Sequence, residues 1–198
     1  EKSNLFNRLQ IKNFQKALDL VKKAGHNPKW LHIQNSDGLL NFHSRGVNLN
    51  LARVGLNLYG ISHDKNLKPI LTLKTKIIQI KRLKRGDRVG YAGTFTAKKD
   101  LGLGVLPIGY FDGVDRCLSN KGFVTINNVA CPIIGLVSMN ITTVDLSNII
   151  NPTIGQEVFV YSNNPKDPNS IENTAKICKT IPYEILVHLV STTKRVIV

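Results

Sequence analysis

The chain has 198 residues, of which 42% are hydrophobic, and a formal net charge of +14. It is long enough to bury a core, in one large domain or two small ones. No run approaches the roughly 18 consecutive apolar residues of a membrane span. The opening residues EKSNLFNRLQ lack the apolar core of a signal peptide, so we expect a cytoplasmic protein that does not insert into membranes.

The basic residues are scattered over different predicted elements. The densest run, KTKIIQIKRLKRGDR, alternates apolar and basic positions, which is typical of a strand with one solvated face. It lacks the interleaved aromatic residues that stack on bases. The pattern favours a solvated surface over a nucleic-acid interface.

The three cysteines, Cys117, Cys131 and Cys178, are widely spaced and form no CxxC pair. No histidine lies close enough in sequence to complete a metal-ligand motif. We therefore expect free thiols in a reducing compartment, with neither a disulfide framework nor a metal site.

The first third of the chain predicts alternating helices and strands, the rhythm of an α/β fold with parallel strands. The predicted elements are a helix over 11–24, a strand over 31–33, a short helix through Phe42 and a strand over 47–52. Ser36 or Asp37 is expected to cap the short helix.

Helical periodicity largely disappears after the polar segment 63–69, which predicts domains at 1–65 and 66–198. The second domain is predicted to be a β-rich barrel or sandwich, because short apolar runs alternate with turn signals. The predicted strands are 70–83, 88–91, 101–107, 122–126, 129–137, 142–146 and 157–161, with a helix over 170–180 and a final strand over 194–198.

Polar and glycine residues follow both predicted strands of the first domain. Asn35 and Ser36 follow one strand, and Arg53 and Gly55 follow the other. A hydroxyl and backbone N–H groups at a helix start commonly bind phosphate in (β/α) barrels. A capping serine and a turn glycine give the same pattern, so these residues alone leave both interpretations open.

Several segments, taken in order, resemble the alanine racemases. HIQNSDG and LARVGLNLYG resemble segments of the family's barrel, and VGYAGTF, IGYFDG, VSMN and TIPYEIL resemble blocks of its β-domain. The resemblance runs from about Trp30 to about Leu186. It implies the last segments of a (β/α)8 barrel followed by a C-terminal β-barrel-like domain. It also implies a pyridoxal-phosphate enzyme that interconverts L-alanine and D-alanine, supplying D-alanine for peptidoglycan.

The same resemblance implies a role for each matched residue. The implied ligands of pyridoxal 5'-phosphate are Asn35, Ser36, Arg53, Gly55, Leu56 and Tyr183. Met139, through its backbone N–H, and Tyr110 would contact the substrate. Racemisation moves protons on both faces of the α-carbon and needs two bases, of which Tyr91 is implied to be one. A free phenol ionises near pH ~10, so a tyrosine base requires nearby positive charge or donated hydrogen bonds.

The second base of the family is the Schiff-base lysine of the cofactor, which we expect upstream of residue 1. This polypeptide alone is therefore expected to be inactive, and the intact protein to be a homodimer with shared active sites. Other hypotheses stay open at this point. They are a serine or broad-specificity racemase, a decarboxylase with the same domain plan, and a noncatalytic basic β-barrel module that binds nucleic acid.

Overall fold

A computed structural model describes residues 5–41, 47–62 and 64–197. The chain divides into two compact units, unit 1 (Glu1–Lys68) and unit 2 (Pro69–Val198). None of the helices in the described ranges is long and apolar enough to cross a membrane. The predicted element ends at Phe42 and Val198 lie outside the described residues.

Unit 1 consists of helices and extended segments. Its elements are helix α1 (Leu5–Lys23), helix α2 (Ser36–Asn41) and a 3-10 helix (Leu56–Tyr59). The prediction of strands over 31–33 and 47–52 is wrong, because these residues form no strand. The two segments still run side by side, since the Leu31 carbonyl accepts the N–H groups of Asn50 and Leu51. These contacts are too few to form a ladder.

Unit 2 is β-rich, as predicted. Its described residues form strands β1 (Leu73–Lys76), β2 (Gln79–Leu83), β3 (Arg88–Val89), β4 (Phe95–Thr96), β5 (Leu101–Leu106), β6 (Phe123–Ile126), β7 (Val129–Pro132), β8 (Thr142–Asp145) and β9 (Glu157–Tyr161). They pair as antiparallel sheets in the orders β1-β9-β6-β7, β2-β5-β8 and β3-β4.

The single strand predicted over 70–83 is two strands that belong to different sheets. The N–H of Ile77 donates to the Gln156 carbonyl, beside β9, whereas the N–H of Ile78 donates to Val105 in β5. The chain therefore changes sheets between two consecutive residues. A continuous apolar and basic pattern gives no sign of such a switch.

Two helices follow the sheets, α3 (Ile171–Cys178) and α4 (Pro182–Val187). The Oγ of Ser170 accepts the N–H of Asn173 and caps α3. Helix α4 begins at a proline, which is favourable in a first turn, but it is too short to show helical periodicity. The predicted final strand is wrong for residues 194–197, which form no strand.

Two of the three cysteines are not free, which corrects the sequence-based expectation. Cys117 and Cys178 form a disulfide that joins positions 61 residues apart, with their Cα atoms 5.4 Å apart. It ties the 3-10 helix Arg116–Leu118 to the end of α3. Cys131 is a buried free thiol. Burial and, secondarily, the Asp145 carboxylate raise the pKa of Cys131 to about 11.

Candidate active site

Ser36 and Gly55 meet in unit 1, where the two loops predicted to bind phosphate come together. Ser36 is 4% exposed, and its Oγ accepts the Gly55 N–H at 2.8 Å. The side-chain amide of Asn57 donates to the Ser36 carbonyl at 2.9 Å. These bonds hold a hydroxyl beside the start of the 3-10 helix that Leu56 opens. Hydroxyl and backbone N–H donors grouped at a helix start suit an anion.

Asn35 caps α2, a role that the sequence assigned to Ser36 or Asp37. Its Oδ1 accepts the N–H of Gly38 at 2.8 Å. The Oδ1 of Asp37 accepts a hydrogen bond from the side-chain amide of Asn41 at 2.7 Å, one turn further along α2. Asn35 thereby fixes the orientation of the first residue of α2, which is Ser36.

Arg53 lines a cavity of about 520 Å³ in unit 1. The other lining residues are Asn7, Gln10, Ile11, Asn13, Ile33, Gln34, Asn35, Asp37 and Gly38. The backbone N–H of Arg53 donates to the Gln34 carbonyl at 3.0 Å, which anchors its segment. Among the described residues no carboxylate lies within 4.0 Å of the guanidinium, so its charge is available to a ligand.

The remaining implied cofactor residue, Tyr183, lies in unit 2. It is in the first turn of α4 and is 39% exposed. The same helix ends next to His188, whose Nδ1 lies 3.2 Å from an Asp115 carboxylate oxygen. Together with the Cys117–Cys178 disulfide, this contact fastens α3 and α4 to the loop that follows Tyr110.

Tyr91 is carried by a tight loop between β3 and β4, called here the Tyr91 loop (residues 90–94). The strand predicted through Tyr91 ends at Val89, because Gly90, Ala92 and Gly93 adopt positive φ angles of 71°, 57° and 55°. Ala92 has a Cβ, so its left-handed conformation is strained and is maintained by the surrounding fold. The Tyr91 ring is 74% exposed. Its hydroxyl makes no hydrogen bond within the part of the chain that the structure describes.

The Tyr91 loop borders a cavity of about 350 Å³ in unit 2. The lining residues are Gly90, Tyr91, Leu136, Ser138, Ile141 and Thr143. Backbone atoms of the two segments that line this cavity lie close together. A Cβ added to Gly90 would lie 3.4 Å from the Leu136 nitrogen, and a Cβ added to Gly135 would lie 3.2 Å from the Val89 oxygen. Small residues at both positions therefore allow the walls to approach closely.

Tyr110 and Met139 are brought together by a second close backbone contact. The N–H of Tyr110 donates to Ser138 at 3.0 Å, and the N–H of Phe111 donates to Met139 at 2.9 Å. A Cβ at Gly109 would overlap the carbonyl oxygens of Ser138 and Met139, so this contact requires glycine. Tyr110 and Met139 are each 49% exposed. The Met139 N–H has no hydrogen-bond partner among the described residues.

The sequence predicts a turn at residues 120–122, but it does not show which distant groups the side chains of this turn contact. The Asn120 side chain accepts the Gly135 N–H at 2.7 Å and donates to the Thr94 hydroxyl at 3.1 Å. The Ser119 hydroxyl accepts the Val137 N–H at 3.0 Å. The available signal was an asparagine two residues before a glycine, which is typical of a positive φ turn.

Taken together, the described residues of unit 2 form a β-rich domain that carries an exposed tyrosine. Those of unit 1 form helices and extended segments that carry a group of hydroxyl and N–H donors. Residues 1–63 match the family described as alanine racemase, N-terminal domain, and residues 70–197 match alanine racemase, C-terminal domain. The chain belongs to the alanine racemase family.

Individual relatives agree with this assignment. An alanine racemase of Borreliella burgdorferi (strain ZS7) is 36% identical over 193 residues, covering 94% of this chain and 50% of that protein. The alanine racemase of Thermodesulfovibrio yellowstonii is 36% identical over 177 residues, covering 89% and 47% respectively. The chain thus spans about half the length of the curated relatives it matches.

Solved structures also match both units. The alanine racemase from Streptomyces coelicolor A3(2) gives a TM-score of 0.89 at 27% identity, covering 96% of this chain and 51% of that one. The alanine racemase from Bartonella henselae with covalently bound pyridoxal phosphate gives 0.84 at 29% identity, covering 99% and 53%. These matches confirm the predicted fold class, a partial barrel followed by a β-domain.

Proposed function

We propose that the protein containing this chain interconverts L-alanine and D-alanine with pyridoxal 5'-phosphate. The observation that carries the proposal is the hydroxyl of Tyr91, which has no hydrogen-bond partner among the described residues and projects from a strained loop at the edge of a cavity. A family match across both units supports it. The nucleic-acid alternative has no comparable support, since it rests on net charge alone.

The donor set of unit 1 fits the phosphate of the cofactor. Ser36 and Leu56 would supply hydroxyl and N–H donors, and the Gly55 N–H, which donates to the Ser36 Oγ, would hold that hydroxyl in place beside the phosphate. Asn35 orients Ser36 by capping α2. Tyr183 would contribute a further hydroxyl. When bound, pyridoxal phosphate supplies an electron sink that makes the α-hydrogen of an attached amino acid acidic.

Arg53 would lie against the pyridine nitrogen of the cofactor. A guanidinium stays protonated at any working pH, so Arg53 donates a hydrogen bond without giving up its proton. The ring nitrogen consequently stays unprotonated, which limits how far negative charge spreads into the ring. A racemase gains from this limit because side reactions such as transamination become slower.

Tyr91 would remove or return the proton on one face of the α-carbon. The Met139 N–H would bind the substrate carboxylate, and Tyr110, held to the same loop by the Gly109 contact, would line the entrance. Leu136 and Ile141 in the cavity wall would exclude water from the reacting carbon.

We further propose a homodimer in which Tyr91 acts in the active site of the other subunit. A catalytic tyrosine that is 74% exposed suits a site completed by a second chain. The cofactor lysine would be provided by residues upstream of Glu1. The product, D-alanine, would serve peptidoglycan synthesis in the cytoplasm. A reducing compartment does not favour disulfides such as Cys117–Cys178.

The proposal is tested with the full-length protein loaded with pyridoxal phosphate. L-alanine and D-alanine are supplied separately, with L-serine in parallel, and the product enantiomer is measured with an enantiomer-specific oxidase. We expect racemisation of alanine from both directions and a much lower rate with serine. A cofactor-loaded protein that leaves alanine unchanged would refute the function. Steeply salt-dependent retention on a polyanion column by such an inactive protein would favour nucleic-acid binding.

A further inference from the structure

We propose that Asn120 is a positioning residue that sets the place of Tyr91 relative to the segment carrying Met139. The inference rests on the proposed function. Asn120 contacts neither the Tyr91 ring nor Met139 directly by hydrogen bond. It acts on the backbones that carry them.

Asn120 bridges the two walls of the unit 2 cavity. Its Nδ2 donates to the Thr94 hydroxyl, at the end of the Tyr91 loop, and its Oδ1 accepts the N–H of Gly135. Gly135 directly precedes Leu136, which lines the opposite wall together with Ser138, and Met139 follows Ser138 in the chain. One side chain therefore links the loop of the proposed base to the segment of the proposed carboxylate ligand.

The turn that carries Asn120 is held rigidly. Asn120 has a φ of 57°, a conformation that asparagine tolerates better than most residues with a side chain. The preceding Leu118 is 3% exposed, and its carbonyl accepts the N–H groups of Lys121 and Gly122. The disulfide at Cys117 fastens the same turn to α3. A rigid turn holds the Thr94 hydroxyl and the Gly135 N–H at a fixed distance from each other.

The Tyr91 loop needs such an external support. Three of its residues lie at positive φ, and the strands that flank it, Arg88–Val89 and Phe95–Thr96, have only two residues each. Such a short hairpin determines the position of Tyr91 weakly by itself. The Thr94 hydroxyl is the point where the side chain of Asn120 attaches the loop to the rest of unit 2.

Asn120→Gly removes both hydrogen bonds of the bridge, and glycine tolerates the positive φ of this position. Thr94→Val removes only the bond to Thr94, and Thr94→Ser retains it. Asn128→Gly is the matched control, because Asn128 also lies at positive φ (62°), and its side chain makes no hydrogen bond in the described chain.

In the full-length racemase, we expect Asn120→Gly and Thr94→Val each to lower kcat about five- to tenfold with KM for alanine unchanged. The double variant should be no slower than Asn120→Gly alone, and Thr94→Ser should have wild-type kcat. Amide hydrogen exchange should become faster in residues 90–94 of Asn120→Gly and Thr94→Val, with or without cofactor. Asn128→Gly should match wild type in every measurement.

The α-deuterium isotope effect distinguishes positioning from a merely structural role. Tyr91 removes the proton of only one enantiomer, so displacing it should raise the isotope effect for that enantiomer and not for the other. Equal isotope effects for both enantiomers, or a kcat indistinguishable from Asn128→Gly, would overturn the inference. Racemisation by the wild-type protein is measured first, because its absence would refute the proposed function itself.

Discussion

Unit 1 holds its polar groups by hydrogen bonds between loops, whereas unit 2 holds its groups on a packed β-scaffold. Among the described residues of unit 1, the buried apolar side chains are Leu18, Val47 and Ile61. In unit 2, by contrast, Val89 at the base of the Tyr91 loop belongs to an apolar cluster with Leu103 and Ile134. The donors of unit 1 therefore depend on individual polar contacts, whereas the tyrosine of unit 2 depends on the packing beneath it together with the hydrogen bond from Asn120 to Thr94.

This difference predicts where each substitution acts. Changes in unit 1 should weaken cofactor binding while leaving the fold of unit 2 intact. Changes to the exposed groups of unit 2 should alter kcat, and changes beneath them should alter stability.

The largest expected effect is that of Tyr91→Phe in the full-length protein. It should lower kcat by about 10²- to 10⁴-fold, because the variant loses the proton carried by the phenol. Cofactor absorbance should be unchanged, since Tyr91 belongs to the scaffold of unit 2. Tyr59→Phe, the same change in unit 1, is the control and should retain near-normal kcat. Loss of cofactor absorbance in Tyr91→Phe would mean that Tyr91 has a structural role.

The Cys117–Cys178 disulfide should contribute about 2–4 kcal/mol to the free energy of unfolding of unit 2, because it closes a long loop in the unfolded chain. Urea unfolding with and without a reductant measures this contribution. The double variant Cys117→Ser/Cys178→Ser should be less stable than wild type and insensitive to reductant. A wild-type midpoint that does not respond to reductant would show that the disulfide is not formed.

Cys131 should make the stability of unit 2 fall at high pH. Its pKa is raised from 9.0 to about 11, so between these values the folded chain keeps a proton that the unfolded chain loses. By linkage the contribution is fully present below about pH 9 and is lost as the pH rises to about 11, a change of about 3 kcal/mol. Cys131→Ala should unfold with a flatter pH dependence over this interval. Parallel curves for the two proteins would contradict the prediction.

The smallest effect is expected in unit 1, for Ser36→Ala. Losing one hydroxyl should weaken cofactor affinity about five- to tenfold, corresponding to roughly 1 kcal/mol for a hydrogen-bonded donor. Titration of the cofactor-free protein with pyridoxal phosphate measures it. Ser62→Ala removes a hydroxyl that accepts the Asp64 N–H in a turn, and it should leave cofactor affinity unchanged. Equal affinities for the two variants would place the phosphate elsewhere.

The sequence predicted the elements of unit 2 better than those of unit 1. Strands such as Leu101–Leu106 and Glu157–Tyr161 lie where apolar runs end at turn signals, because each packs one face against a core. The segments 31–33 and 47–52 are equally apolar, but the hydrogen bonds between them are too few to make a strand. Local sequence does not encode the partner that a strand needs.

The motif residues were found because they lie in recognisable blocks, and their roles stay proposals. Contacts between distant segments were not predictable in this way. The pairing of Cys117 with Cys178 depends on α3 reaching the loop that follows Tyr110, and the bridge from Asn120 to Thr94 spans 26 residues. Both depend on tertiary arrangement, which neither spacing nor composition specifies.

The central claim is that unit 1 of one subunit and unit 2 of the other form one active site, and subunit mixing tests it most directly. Tyr91→Phe is mixed with Arg53→Ala, which we expect to be almost inactive, under conditions where native mass spectrometry shows exchange. Half of the dimers are then mixed, and one of the two sites in each has both residues intact. The account predicts recovery of about a quarter of wild-type racemisation. Activity no greater than the sum of the separate variants, with exchange demonstrated, would contradict it.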